Sequence, residues 1–140
     1  MNGQIRPYKD ADYENLKQLY EHSEWYGGQF DKARDGRQRL ADKIAQDPES
    51  IWLYEKDGRL LASVSLIEDG RVAWLFRFAV KDNDQLVAEA LYRKAAAIFK
   101  QRGHSQVLVY SPAGNQKLNE RWQKLGMNKG HDFTAFWKDL

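Results

Sequence analysis

Cysteine is missing from this chain altogether, so disulfides, thiolate metal sites and a cysteine nucleophile are excluded. Long apolar runs are missing too: nothing approaches the roughly 20 residues that span a bilayer. Charge of one sign is scarce, the formal net charge being +2, too little to define a nucleic-acid or membrane surface. The N-terminus turns polar at once, unlike a signal peptide, so the expected location is the cytoplasm. No repeat, linker or low-complexity tract interrupts the chain. What is there is ordinary: 42% hydrophobic and 30% charged residues in a chain of 140. That suffices for a single domain over residues 1–140 with one substantial core. The histidines, His22, His104 and His131, are scattered without ligand spacing. Each reads as a surface residue, and no metal site is expected.

Ile5 to Tyr8 reads as a short strand ended by the Asp10-Ala-Asp12 cluster. Between Tyr13 and His22, Leu16, Leu19 and Tyr20 recur at helical spacing. Ser23 to Phe30 is a loop rich in aromatics and glycine. A second helix is expected from Asp31 or Lys32 to about Gln46, with Leu40 and Ile44 inward. Arg34, Arg37, Arg39 and Lys43 make its solvated face. Asp47-Pro48 stops it, because proline disfavours a helical residue before it. Ile51–Tyr54, Leu60–Ile67 and Val72–Val80 are strand-like runs joined by Asp57-Gly58 and Asp69-Gly70, which supply the positive φ of hairpin turns. A long helix is expected from near Asp84 to Gly103, with Leu86, Leu91, Ala95, Ile98 and Phe99 inside. Gln106–Tyr110 reads as a buried strand, parallel after a helical crossover. A helix from Asn115 to Lys124, stopped at Gly126, and a last strand at Phe133–Trp137 complete the order β-α-α-β-β-β-α-β-α-β. This is an α+β fold with a mixed, mostly antiparallel sheet.

The stretch Asn115-Gln-Lys-Leu-Asn-Glu-Arg-Trp122-Gln-Lys-Leu-Gly126-Met127 follows a strand and carries an aromatic just before a Leu-Gly-hydrophobic stop. It resembles the last helix of the GNAT N-acyltransferases, and the element order resembles theirs over nearly the whole chain. The resemblance implies a sheet splayed between the fourth and fifth strands, here Phe78-Ala-Val80 and Val107–Tyr110, with an acyl-pantetheine arm in the splay. It implies acetyl-CoA or another acyl-CoA as co-substrate, no metal, and an amine of a small molecule or peptide as acceptor. No nucleic acid or membrane enters; a homodimer is left open. The implied cofactor contacts are Phe78, Ala79 and Val80 through their backbone, then Lys81, Leu86 and Val87 at the pyrophosphate, Asn115 on the arm, and Trp122 against the cofactor. Trp25, Tyr26 and Phe30 would shape the acceptor pocket.

Two departures from that pattern stand out. The superfamily's pyrophosphate loop is glycine-rich, because glycine lets backbone amides approach the phosphates at a helix N-terminus. Here Val80-Lys-Asp-Asn-Asp-Gln-Leu-Val87 has no glycine and two carboxylates. Asp82 stands three residues before Gln85, which fits a capping box in which the helix satisfies its own amides. A carboxylate at contact distance from a phosphate costs about 4 kcal/mol per pair near a surface. The second departure concerns proton transfer. Trp122 occupies the position where relatives often place an acidic tyrosine, and an indole N–H cannot serve as the acid. Tyr110 is the nearest substitute, with a core tyrosine as the alternative. Trp74 and Arg77 occupy the strand where some relatives carry a basic glutamate; Glu68 is the substitute, with a solvated turn as the alternative. Two functions stay open: an acyl-CoA-dependent N-acyltransferase, or a catalytically degenerate module keeping the fold for binding or regulation.

Overall fold

The computed structural model describes residues 3–23 and 30–140. These form two compact units, residues 1–109 and residues 110–140.

The first unit is built on four antiparallel strands, β1 (Gln4–Pro7), β2 (Ile51–Lys56), β3 (Arg59–Glu68) and β4 (Ala73–Val80), adjacent in chain order. The β2–β3 turn holds Asp57 at φ 53° and Gly58 at φ 73°, the double positive φ that a two-residue hairpin requires. Alternation along β2 distributes its side chains between two faces. Ile51 and Leu53 join Leu16, Leu19 and Tyr20 of α1 (Tyr13–His22) and Leu40 of α3 (Arg37–Gln46) in one buried cluster. Trp52 faces the other way, where Lys94 of α4 (Gln85–Gln101) lies 4.6 Å over its ring. Helices therefore cover both faces, and Leu91, Ala95, Ile98 and Phe99 of α4 are buried as their spacing requires.

The expected second helix is two. α2 (Lys32–Asp35) and α3 are separated by Gly36, whose backbone is extended at ψ 148°. A Cβ at Gly36 would lie 3.0 Å from the Lys32 carbonyl oxygen, so the break leaves little room for a larger residue. Ile44 is half-buried against the core as expected.

β4 is not regular. Ser63 pairs with Ala79 but Ser65 pairs with Phe76, so β4 carries one extra residue in this stretch. Arg77 takes up the irregularity at φ 50°, a β-bulge that bends the strand and increases its twist.

Residues 106–110, expected as a full strand, meet β4 at one parallel bridge, Trp74 with Leu108. Two hydrogen bonds make it: Leu75 N–H to the Leu108 carbonyl and Leu108 N–H to the Ala73 carbonyl, both 2.9 Å. The bridge sits at the start of β4, and that strand runs on through the bulge to Val80.

The second unit contains α5 (Gln116–Lys124), with Leu118 and Trp122 buried. Its Met127 N–H returns to the Trp122 carbonyl at 3.3 Å, closing the helix at Gly126 as expected. The strand expected at 133–137 is not formed: residues 127–140 have no helix or strand, and Phe133, Phe136 and Trp137 are exposed. A strand needs a neighbour to accept its ladder, and alternation in sequence cannot provide one.

Candidate functional site

The end of β4 and the start of α4 form the region where a phosphate-bearing cofactor would be expected. After Val80 the chain makes a tight 3-10 turn, Lys81–Asn83, with Asp82 at φ 54° and Asn83 at φ 52°. The next residue, Asp84, is the helix cap. Its Oδ1 accepts from Leu86 N–H at 3.1 Å and Val87 N–H at 3.2 Å. This corrects the capping box assigned to Asp82: a residue in left-handed conformation two positions upstream of the N-cap does not cap. The correction sharpens the chemistry, because the amides of Leu86 and Val87 are those a pyrophosphate would use. They are already bound to a carboxylate. Leu86 also departs from expectation, being 79% exposed rather than inside, whereas Val87 is buried. Position 86 lies in the first turn of α4 and presents an apolar side chain beside the capped amides.

Arg77 is the residue of this strand that periodicity did not single out. Its side chain is buried and forms a bidentate pair with buried Asp35, Nε to Oδ1 at 3.0 Å and the terminal nitrogen to Oδ2 at 2.8 Å. The guanidinium lies 4.8 Å from the Phe76 ring centroid and 5.9 Å from that of Tyr20. Asp35 also accepts from Asp31 N–H at 2.8 Å, and its carbonyl accepts from the Tyr13 hydroxyl at 2.9 Å. The pair therefore ties the bulge of β4 to the chain segment that follows the aromatic loop. A charge inside the apolar run Ala73–Val80 was the available signal, since buried charges require partners. Tyr20, beside it, has its hydroxyl pushed up to about 12 by burial, so it holds its proton at neutral pH.

Glu68 is occupied elsewhere. Its carboxylate accepts from His104 Nε2–H at 3.0 Å, from Arg102 at 2.9 Å and from Gly70 N–H at 3.1 Å. Arg102 also grips Asp47 through bonds of 2.9 and 3.0 Å. The His104 hydrogen bond first, then that of Arg102, holds the Glu68 carboxyl below its ordinary range, which opposes a role as proton acceptor. The His104 side chain is only 4% exposed, correcting its reading as a surface residue; its bond to Glu68 explains the burial.

The remaining expected residues fall as follows. Phe30 is half-buried against the core with Lys17 Nζ 5.1 Å from its ring centroid. Trp25 and Tyr26 lie outside the described residues. In the second unit, Asn115 caps α5, its Oδ1 accepting from Leu118 N–H at 3.0 Å. Trp122 is buried there, and Tyr110 is 58% exposed. Among the described residues no cluster of histidine or acidic side chains is arranged to hold a metal ion, and no helix is long and apolar enough to cross a membrane.

This arrangement of sheet, bulge and helices is the GNAT fold. Comparison with solved structures shows the likeness. Aminoglycoside 6'-N-acetyltransferase AAC(6')-Ig from Acinetobacter haemolyticus superposes with a TM-score of 0.77 at 18% identity, over 98% of this chain and 99% of that one. The PaiA N-acetyltransferase from Thermoplasma acidophilum, in complex with coenzyme A, gives 0.73 at 20% identity, over 89% and 88%. A longer chain from Pyrococcus horikoshii gives 0.65 at 13% identity; this chain covers 43% of it, with 88% of its own length matched. No family model matches the sequence, and no curated protein does.

Proposed function

We propose that the 140 residues work as one acyl-CoA-dependent N-acyltransferase domain in the cytoplasm, passing an acetyl or other acyl group to an amine of a small molecule or peptide. One observation carries the reading. In a chain with the fold of known N-acetyltransferases, residues 106–110 meet β4, among the described residues, through an isolated parallel bridge, Trp74 with Leu108, rather than a ladder. Beyond it lies the bulged half of β4, the stretch against which an acyl-pantetheine arm would run.

In this reading the backbone of Phe78, Ala79 and Val80 pairs with the pantetheine amides. Lys81 offsets phosphate charge, the phosphates take the amides of Leu86 and Val87 in place of the Asp84 carboxylate that holds them, Asn115 bonds the arm and Trp122 packs on it. Phe30, with Trp25 and Tyr26, borders the acceptor. The attacking amine must arrive deprotonated, and the leaving thiolate must receive a proton. Tyr110, exposed at the start of the second unit, is the residue we assign to that donation. Glu68, held by Arg102 and His104, leaves amine deprotonation to water.

A second reading has its own support. Asp84 already satisfies the amides of Leu86 and Val87, as in a fold kept for binding or regulation after acyl transfer is lost. Thermal-shift and calorimetric titration with acetyl-CoA separates the two, because a ligand of the native state raises stability with occupancy. Saturable stabilisation by acetyl-CoA, followed by acylation in a panel of amines, supports the enzyme. No response to millimolar acetyl-CoA or longer acyl-CoAs leaves only the binding module.

A further inference from the structure

The sequence holds three Asp-Gly dipeptides, Asp35-Gly36, Asp57-Gly58 and Asp69-Gly70. All carry the same latent reaction: the glycine nitrogen can close on the aspartate side-chain carboxyl, and glycine hinders this least because it has no Cβ. The fold treats them differently. The buried Asp35 carboxylate is clamped by Arg77 at 3.0 and 2.8 Å and by the Asp31 N–H at 2.8 Å. The Asp69 carboxylate accepts from the Arg71 and Val72 N–H groups at 2.9 and 3.2 Å, and from the Arg71 guanidinium at 3.0 and 2.6 Å. These bonds, the guanidinium first, push its carboxyl down to about 2, so it stays ionised and cannot release water. Its nitrogen is held as well, Gly70 N–H donating to Glu68 at 3.1 Å. Asp57 has none of these restraints. It is exposed, and among the described residues its carboxylate has no hydrogen bond or ion pair. Gly58 N–H donates to no acceptor among them. A Cβ on Gly58 would meet nothing within 4 Å, so no neighbour obstructs rotation at this tip. Asp57 also holds φ 53°, which an L-residue adopts at a steric cost.

We propose that the fold selects Asp57-Gly58 as a self-modification site, where the chain converts its own aspartate to isoaspartate through a cyclic imide. The Gly58 nitrogen bonds to Asp57 Cγ, and the carboxyl hydroxyl leaves with the amide proton as water. The imide then takes up water. Opening at the side-chain carbonyl restores aspartate; opening at the main-chain carbonyl gives isoaspartate. One water is lost and one regained, so solvent is the only co-reactant. In the product the chain runs through Cβ and Cγ of residue 57, which lengthens the turn by one atom and frees the main-chain carboxylate. Lys56 and Arg59, paired at the end of the hairpin, then no longer enclose a regular two-residue turn. The β2–β3 hairpin thus records the age of the chain, whether or not the protein transfers acyl groups.

Ageing the full chain in mildly acidic buffer made with heavy-oxygen water, followed by peptide mapping, tests it. Mild acid keeps part of an ordinary carboxyl protonated, and each passage through the imide inserts one solvent oxygen. Label should accumulate severalfold faster in the peptide holding residue 57 than in those holding residues 35 and 69. Fragmentation should locate isoaspartate at position 57. In denaturant the protection of Asp35 and Asp69 is lost, and the three peptides should label at comparable rates. Asp57→Asn keeps a residue type that tolerates left-handed φ and reaches the same imide faster, by releasing ammonia. Ammonia release from this variant should therefore outpace isomerisation of the parent. An unlabelled position 57, equal labelling of the three in the folded chain, or no ammonia from the variant would overturn the proposal. So would the same preference for position 57 in denaturant, which would trace it to flanking sequence instead of the fold.

Discussion

Arg77 shows how much a single residue can organise. A non-glycine residue in left-handed conformation costs about 1–2 kcal/mol, and its guanidinium is also removed from water. Both costs are met by the bidentate contact with Asp35 and the flanking rings. Removing one partner strands the other, so Arg77→Ala should destabilise the fold by about 3–5 kcal/mol in urea unfolding. Combining Arg77→Met with Asp35→Leu should recover much of that loss, because no charge is left buried. A double variant no more stable than the single one would show that the bulge needs the ion pair itself. Asp84 supports a second prediction. Asparagine caps nearly as well as aspartate, so Asp82→Asn/Asp84→Asn should leave the melting temperature almost unchanged. If acyl-CoA uses the capped amides, its affinity should rise severalfold, with the gain shrinking at high salt. Unchanged affinity at low ionic strength would place the phosphates elsewhere, and lost affinity would make the aspartates part of the site. At this scale the sequence was only partly legible. That a carboxylate would cap α4 could be read from composition. Which one could not, since the left-handed turn at Asp82 and Asn83 shifts the cap by two residues.

Elements with their own local signals were the readable ones. Asp57-Gly58 defined a hairpin because its φ values are a backbone requirement. Leu16, Leu19 and Tyr20 placed α1, and Leu91, Ala95, Ile98 and Phe99 placed α4, because burial follows helical period. Elements that depend on distant partners were not readable: residues 106–110 make one bridge, and 133–137 make no strand. The break at Gly36 escaped because α2 stops right after Asp35, whose partner Arg77 lies 42 positions away and is invisible to helical periodicity. The junction of α3, β3 and α4 gives a pH prediction. Arg102, bonded to Asp47 and Glu68, lowers both carboxyls, with the His104 bond leading for Glu68. A depressed carboxyl stabilises the fold above its unfolded value, and that contribution fades as pH falls through the folded one. Stability to urea should therefore drop below about pH 4. Arg102→Gln should be less stable at neutral pH and show a shallower acid loss; an unchanged slope would mean that the cluster contributes little. For α5, Asn115→Ala should cost about 1 kcal/mol through the lost cap. A larger fall in acyl-CoA affinity than in stability would show a second role for Asn115.

For the whole molecule, the order of elements gave an α+β fold and, together with the resemblance carried by Asn115–Met127, anticipated the GNAT fold, while the chemistry grafted onto it was not legible. Fold alone does not imply function, and here a solved acetyltransferase matches almost the full length at 18% identity. Binding of acetyl-CoA is the decisive global measurement. At a concentration near 100 times its dissociation constant it should add about 2.7 kcal/mol to unfolding, a rise of several degrees in melting temperature. The exposed Phe136 and Trp137 make a contrasting case: replacing either by serine should change stability by no more than about 0.5 kcal/mol. A larger loss in unfolding assays would mean that the tail is packed in solution. The irregular fourth strand has one more consequence. A hairpin with even pairing can slide along its partner, but this one carries a pawl. Slipping β4 by one residue would bring Phe76 or Phe78 into the left-handed position and turn the guanidinium away from Asp35. Only one alignment of β3 with β4 is then tolerated, so the same feature that kinks the strand also acts as its proofreading device during assembly.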